Sequence, residues 1–106
     1  MKFKVYKNDR VETADGRYLG TAFSLHQRQD EVEPELELYG LYLKTWNEQM
    51  GDWFFIPTDF IQSVEPEAKS VTLSVDFATV QKETWSRLPD FIARAQDLEI
   101  ELANYR

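Results

Sequence analysis

Through the first two-thirds of the chain, apolar and polar side chains alternate with a period of two, and turn-forming residues interrupt the pattern at short intervals. Successive side chains of an extended strand face opposite ways, so this pattern demands a meandering antiparallel sheet. Leu19, Thr21, Phe23 and Leu25 fall on one face of such a strand, and Gly20, Ala22, Ser24 and His26 on the other. Phe23 and Leu25 are expected to point into the core. Ahead of them Val11 to Thr13 leads into Asp15-Gly16, where glycine supplies the positive φ of a tight hairpin turn. Phe3 and Val5 alternate with lysines as a protected edge strand would, and Asn8-Asp9 marks the turn after them.

From Asp30 the glutamates Glu31, Glu33, Glu35 and Glu37 alternate with Val32, Pro34, Leu36 and Leu38. The parity then flips, because Tyr39, Leu41 and Leu43 carry the apolar set on odd positions. A bulge or sharp bend at Gly40 explains the flip and lets the sheet curl. Pro34 cannot donate a ladder hydrogen bond, which puts that stretch at an edge. Beyond the turn at Asn47 to Asp52, three more strands are expected over Trp53 to Ile56, Phe60 to Val64 and Val71 to Phe77. About six strands result, spaced as an all-β barrel or sandwich would space them.

The period changes in the last third. Asp76 is placed to cap a short helix through Ala78, Val80 and Trp85, and Pro89-Asp90 is the start signal of a longer one predicted to reach Tyr105. Phe91, Ala95, Leu98, Leu102 and Tyr105 recur at four, three, four and three, as one helical stripe. Ile92, Ala93, Ile100 and Ala103 cluster roughly opposite. A helix with two apolar faces needs two neighbours, the chain's own barrel and a second copy, so a homodimer is expected. The chain thus divides into a β-domain over 1–88 and an amphipathic C-terminal α-helix over 89–106.

The 106 residues suffice for one domain. Twelve basic against nineteen acidic side chains give a formal net charge of -7. The molecule therefore repels phosphate backbones and anionic membranes, and direct nucleic-acid or membrane binding is not expected. There are no cysteines, hence no disulfide, thiol nucleophile or thiolate metal site; this suits a reducing cytoplasm. Lys2, Lys4 and Lys7 break up the apolar residues near the start, so a soluble, unprocessed chain is expected.

No residue pattern points to a reaction. Glutamates two apart on a strand line up along one face rather than converging on a cation, so Glu31, Glu33, Glu35 and Glu37 read as a solvated row or as a dock for a basic partner. His26 is the single histidine and has no partner motif beside it, such as HExxH, a nucleophile elbow or a phosphate loop. A strand-face position is expected for it. Trp46, Trp53 and Trp85 could stack bases, but the charged neighbours Lys44, Glu48 and Asp52 make no electropositive groove, so core packing or a protein interface is the better account. No catalytic residue, cofactor or metal is implied.

Val11, Asp15-Gly16, Leu19-Gly20 and the pair Ala22 and Phe23, followed by Ile56-Pro57, Ile61 and Val64, together resemble the motif order of PRC-barrel domains. Val71, Leu73 and Val75 would form the closing strand, and the similarity covers about residues 3 to 88. The resemblance implies a six-stranded barrel that contacts other proteins as a non-enzymatic adaptor. Its structural positions here are Gly16, Leu19, Gly20, Ile56, Pro57 and Ile61, with the glycines serving turn and close packing and Pro57 the rigid entry to the next strand. The glutamate-rich arm and the C-terminal helix depart from that pattern. Two alternatives stand beside the adaptor. One is a ribosome-associated factor that binds a basic ribosomal protein through Glu31 to Glu37. The other is a small-ligand-binding barrel with Trp53, Phe54 and Phe60 at its mouth.

Overall fold

A computed structural model describes residues 3–29 and 39–105. The glutamate row from Glu31 to Glu37, the expected strand around it and the edge role of Pro34 lie outside the described residues. Among the described residues seven strands form one sheet: β1 (Arg10–Glu12), β2 (Tyr18–Arg28), β3 (Leu41–Asn47), β4 (Asp52–Pro57), β5 (Ile61–Glu65), β6 (Ser70–Leu73) and β7 (Asp97–Glu101). Their order is β4-β3-β2-β1-β6-β5, with β7 also paired to β2. All ladders are antiparallel except β1 with β6. The fold is mostly β, as expected, and the sheet does not close: among the described residues β4 and β5 share no ladder.

The sheet nevertheless curls around one core. Phe54 and Ile56 of β4 and Ile61 of β5, from its two ends, belong to one buried cluster with Val11, Leu19, Leu43, Val71 and Leu73. A single 3-10 turn, Thr58–Phe60, separates β4 from β5. Pro57 fixes the entry to that turn with φ -58, so the two sheet edges meet at this corner and diverge from it.

The turn chemistry follows the sequence closely. Gly16 has φ +81 in the β1–β2 turn, where Arg17 N donates to Thr13 Oγ1 at 3.0 Å and the Thr13 hydroxyl donates to the Asp15 carboxylate. That hydroxyl holds the Asp15 carboxyl below the usual carboxylate range against the opposing effect of desolvation, with a lesser contribution from the Phe77 N–H. Gly20 is required for a different reason. Its φ is +136, and a Cβ there would sit 2.1 Å from the carbonyl oxygen of Trp46, so only glycine lets β2 and β3 approach. Leu19 and Ile56 are fully buried and Ile61 nearly so.

Several local expectations change. Residues 3–7 form no strand; Val5 is buried and the Lys7 N–H donates to the Ala103 carbonyl at 2.8 Å. Gly40 does form the expected bend, which leads into β3, and its carbonyl accepts the Arg28 N–H at 2.8 Å. The strand expected to reach Phe77 stops at Leu73, because Asp76 caps α1 (Phe77–Lys82) by accepting the Thr79 N–H at 2.9 Å. Phe23 does not point into the core. The register against β3 slips between Ala22 and Ser24, and the bulge turns the Phe23 ring outward, 38% exposed, while Leu25 stays buried.

The largest correction concerns the end of the chain. The expected helix from Pro89 to Tyr105 is one turn only, α2 (Asp90–Ala93). Ala95 takes φ +56 and ends it, and Asp97 to Glu101 then form β7 against β2. Leu98 and Leu102 are four apart, which satisfies a helical stripe, but Asp97-Leu98-Glu99-Ile100-Glu101 also alternates with a period of two. Pairing with an open stretch of β2 decides between the periods, a non-local gain that no local propensity encodes.

Candidate functional site

The site is built on the C-terminal half of β2, which carries β3 on one side and β7 on the other. The register places Leu25 opposite Ile100 and Gln27 opposite Leu98 on the core-side face. Ser24, His26 and Arg28 lie on the reverse face opposite Glu101, Glu99 and Asp97. Tyr42, Phe55 and Phe91 form a second, smaller cluster. Tyr42 lies opposite His26 and Phe55 opposite Lys44, so this cluster occupies the reverse face, with α2 laid over it through Phe91.

Beside that cluster, three polar side chains are brought together from positions far apart in sequence. His26 Nδ1 lies 2.6 Å from Asp97 Oδ2, and His26 Nε2 lies 3.1 Å from Ser24 Oγ. A carboxylate only accepts, so Nδ1 carries the proton donated to Asp97, and in the neutral ring Nε2 accepts from the Ser24 hydroxyl. The order of groups is that of a hydrolase triad, but its access is not. Ser24 and His26 keep 1% and 5% of their surface, and an acyl group cannot reach Oγ there. The arrangement instead fastens β7 to β2, with the backbone ladder continued by Gln29 N donating to the Gln96 carbonyl at 3.1 Å. His26 is therefore buried within the sheet, and a partner 71 residues away lies beyond the reach of any motif.

Fastened in this way, β7 presents its other edge. It pairs with β2 alone among the described residues, so the outward N–H and C=O groups of β7 have no ladder partner among them. Leu98 and Ile100 are 55% and 40% exposed on one face, and Glu99 and Glu101 are exposed on the other. The stripe predicted for self-association is thereby split. Phe91 is buried under α2, Leu102 is buried in the main core, Ala95 is exposed in the turn, and Tyr105 stacks on Tyr6 with ring centroids 4.4 Å apart. Only Leu98 of that set faces outward on β7. It is joined there by Ile100, which the helical reading had placed on the opposite side.

The tryptophans do not form one platform. Trp85 is buried against Phe60, while Trp46 and Trp53 pair across β3 and β4 with ring centroids 4.8 Å apart. The outward Phe23 meets Trp53 edge-on, and Lys44 Nζ lies 4.3 Å from the Trp53 ring centroid. Among the described residues, no group of three or more histidine and acidic side chains is placed to hold a metal ion, and no helix is long and apolar enough to cross a membrane. No family model, curated protein or solved structure matches the chain.

Proposed function

We propose that the chain is a protein-binding module that takes a basic, extended segment of a partner as an added strand along the outer edge of β7. The observation that carries this reading is an edge strand whose outer backbone groups have no ladder partner among the described residues, with exposed Leu98 and Ile100 on one face and exposed Glu99 and Glu101 on the other. Strand addition draws affinity from main-chain hydrogen bonds and specificity from alternate side chains. A segment that alternates apolar residues with lysine or arginine matches both faces of β7 at once, and the formal charge of -7 favours its approach. Edges left open are usually blunted by charge, and here the charges are all acidic, which selects the partner's sign. The reading keeps the adaptor role that the PRC-barrel resemblance implies, and it has the same chemistry as docking on a basic ribosomal protein.

A second copy is the less favoured occupant. Two β7 strands pairing antiparallel would bring Glu99 and Glu101 against their own counterparts, and like charges across a ladder are destabilising.

The experiment uses a labelled heptapeptide of alternating lysine and valine, titrated by fluorescence anisotropy, beside the same peptide N-methylated at alternate residues. The unmodified peptide should bind and protect β7 amides from exchange. N-methylation, which removes donors but keeps charge and apolarity, should weaken it at least tenfold, a difference of about 1.4 kcal/mol. The double change Glu99→Lys and Glu101→Lys should abolish binding. Equal binding of the two peptides, or a light-scattering dimer that Leu98→Glu converts to monomers, would replace this reading with plain charge attraction or with self-association.

A further inference from the structure

The bulge after Ala22 turns Phe23 outward beside Trp53, and the two rings meet edge to face with centroids 5.2 Å apart. Two lysines converge on that pair. Lys7 Nζ lies 5.1 Å and Lys44 Nζ 5.5 Å from the centre of the Phe23 ring, and Lys44 Nζ also lies 4.3 Å from that of Trp53. The pattern continues beside Lys7, where Lys4 lies over Tyr6 and Lys69 over Tyr105, two rings that stack on each other.

Ammonium groups that share one ring repel each other, and a carboxylate set between them would relieve the repulsion. The chain has nineteen acidic side chains, yet Lys4, Lys7, Lys44 and Lys69 make no ion pair among the described residues. Neighbouring carboxylates are engaged locally. Asp52 Oδ1 accepts the Trp53 N–H at 2.8 Å, and both oxygens of the buried Asp9 accept, from the Tyr6 N–H and from the Tyr105 hydroxyl. In the ladders Ser24 lies opposite Lys44 on one side and opposite Glu101 on the other. The sign of this face therefore changes across β2, acidic toward β7 and basic toward β3 and β4.

We infer that the basic side docks an acidic segment of a partner protein, with carboxylates held by Lys7 and Lys44 and an apolar side chain laid against Phe23 and Trp53. The lysines take ring faces, where the quadrupole is negative, and the ring edges that remain are positive and suit a carboxylate. The same occupancy argues against a nucleic acid, whose bases need open ring faces for stacking. The formal charge of -7 opposes a polyanion further. Phe23 is 38% exposed, an apolar contact that a short segment can cover while its carboxylates reach the ammonium groups. Contact with the rings holds both lysines in advance, so little side-chain freedom is lost on binding.

The probe is a labelled heptapeptide of alternating glutamate and leucine, titrated by fluorescence anisotropy beside the same peptide with glutamine in place of glutamate. The glutamate peptide should bind at least tenfold more tightly, and its affinity should fall severalfold between about 50 and 200 mM salt. Lys7→Gln combined with Lys44→Gln should weaken it at least tenfold, and each change alone severalfold, which keeps the test open if the pair fails to fold. Lys7→Arg combined with Lys44→Arg keeps charge over the rings and should retain binding. Glu99→Lys with Glu101→Lys, which abolishes the basic-peptide site at β7, should leave the glutamate peptide bound at least as tightly. Equal affinity for the two peptides, no binding up to about 1 mM, or full binding by folded glutamine variants would overturn the inference, and so would tighter binding of an oligothymidylate of matching charge. None of these results bears on strand addition at β7, whose probe is basic.

Discussion

Leu43 and Tyr42 are neighbours in β3, and they belong to two differently built layers. Leu43 is fully buried in a cluster drawn from six of the seven strands, from both ends of the sheet and from α1. Tyr42 packs on the reverse face in a small aromatic cluster whose cover is the four-residue α2. The first layer is sealed by the curl of the sheet itself, so opening it means separating strands. Among the described residues the second is covered by one turn of helix, α2, and by Tyr39, and that turn can lift while the ladders stay intact. Strength of burial therefore differs across one sheet, and the features proposed to bind partners lie at or beyond the weaker layer.

The sharpest way to break that contrast is to truncate one anchor in each layer. Leu43→Ala should cost about 4 kcal/mol in urea unfolding, with the loss spread over the whole molecule, since the cavity is surrounded by strands that cannot collapse. Phe91→Ala removes a larger side chain but should cost only about 2 kcal/mol, below the usual range for such a truncation, because α2 can settle or detach. Hydrogen exchange should accelerate chiefly in α2 and around Tyr42. If Phe91→Ala costs as much as Leu43→Ala and speeds exchange everywhere, the two layers are one cooperative unit.

A smaller effect is expected where β7 is fastened. Asp97→Ala leaves His26 Nδ1 buried without an acceptor and should cost about 1 to 3 kcal/mol, the usual penalty for a buried polar group left unpaired. Asp97→Asn retains an acceptor oxygen and should cost markedly less. Amides of β7 should exchange faster in the alanine variant than those of β3. Unchanged β7 protection would mean that the backbone ladder alone holds the strand.

These contrasts also explain what could be read from the sequence. Local chemistry was legible: the positive φ of Gly16, the capping of α1 by Asp76 and the break at Pro57 each depend on neighbours within a few residues. The mostly β character was legible for the same reason, since alternation is local. What escaped depends on register and distance. The bulge after Ala22 reverses Phe23 without any change in alternation, and β7 satisfies two periods until β2 chooses one. Ser24, His26 and Asp97 meet only because β7 returns to β2. Ser24 and His26 did sit two apart on one expected face, a usable signal, but their acidic partner had no local mark. The patch of lysines and rings is likewise assembled by the fold: Phe23 reaches it from β2, Lys44 and Trp53 from β3 and β4, and Lys7 from the segment ahead of β1.

The finest difference between the layers lies at the chain ends, where Asp9 is fully buried beside the main core and accepts from the Tyr6 N–H at 2.9 Å and from the Tyr105 hydroxyl. Burial, and then the hydrogen bond to Asp9, push the Tyr105 phenol up to about 12. A phenol harder to ionise in the folded chain than in the unfolded one stabilises the fold fully below the ordinary value near 10, and the contribution fades as pH rises toward 12. Tyr105→Phe keeps the stacking on Tyr6 and loses only the hydroxyl, so it should cost about 1 kcal/mol at pH 7. Between pH 10 and 12 the wild-type advantage should shrink toward zero, followed as the gap between urea midpoints. A gap that stays constant to pH 12 would mean that the hydroxyl contributes nothing through its proton, and that ring stacking alone ties the C-terminal end of the chain to residues 6 to 9.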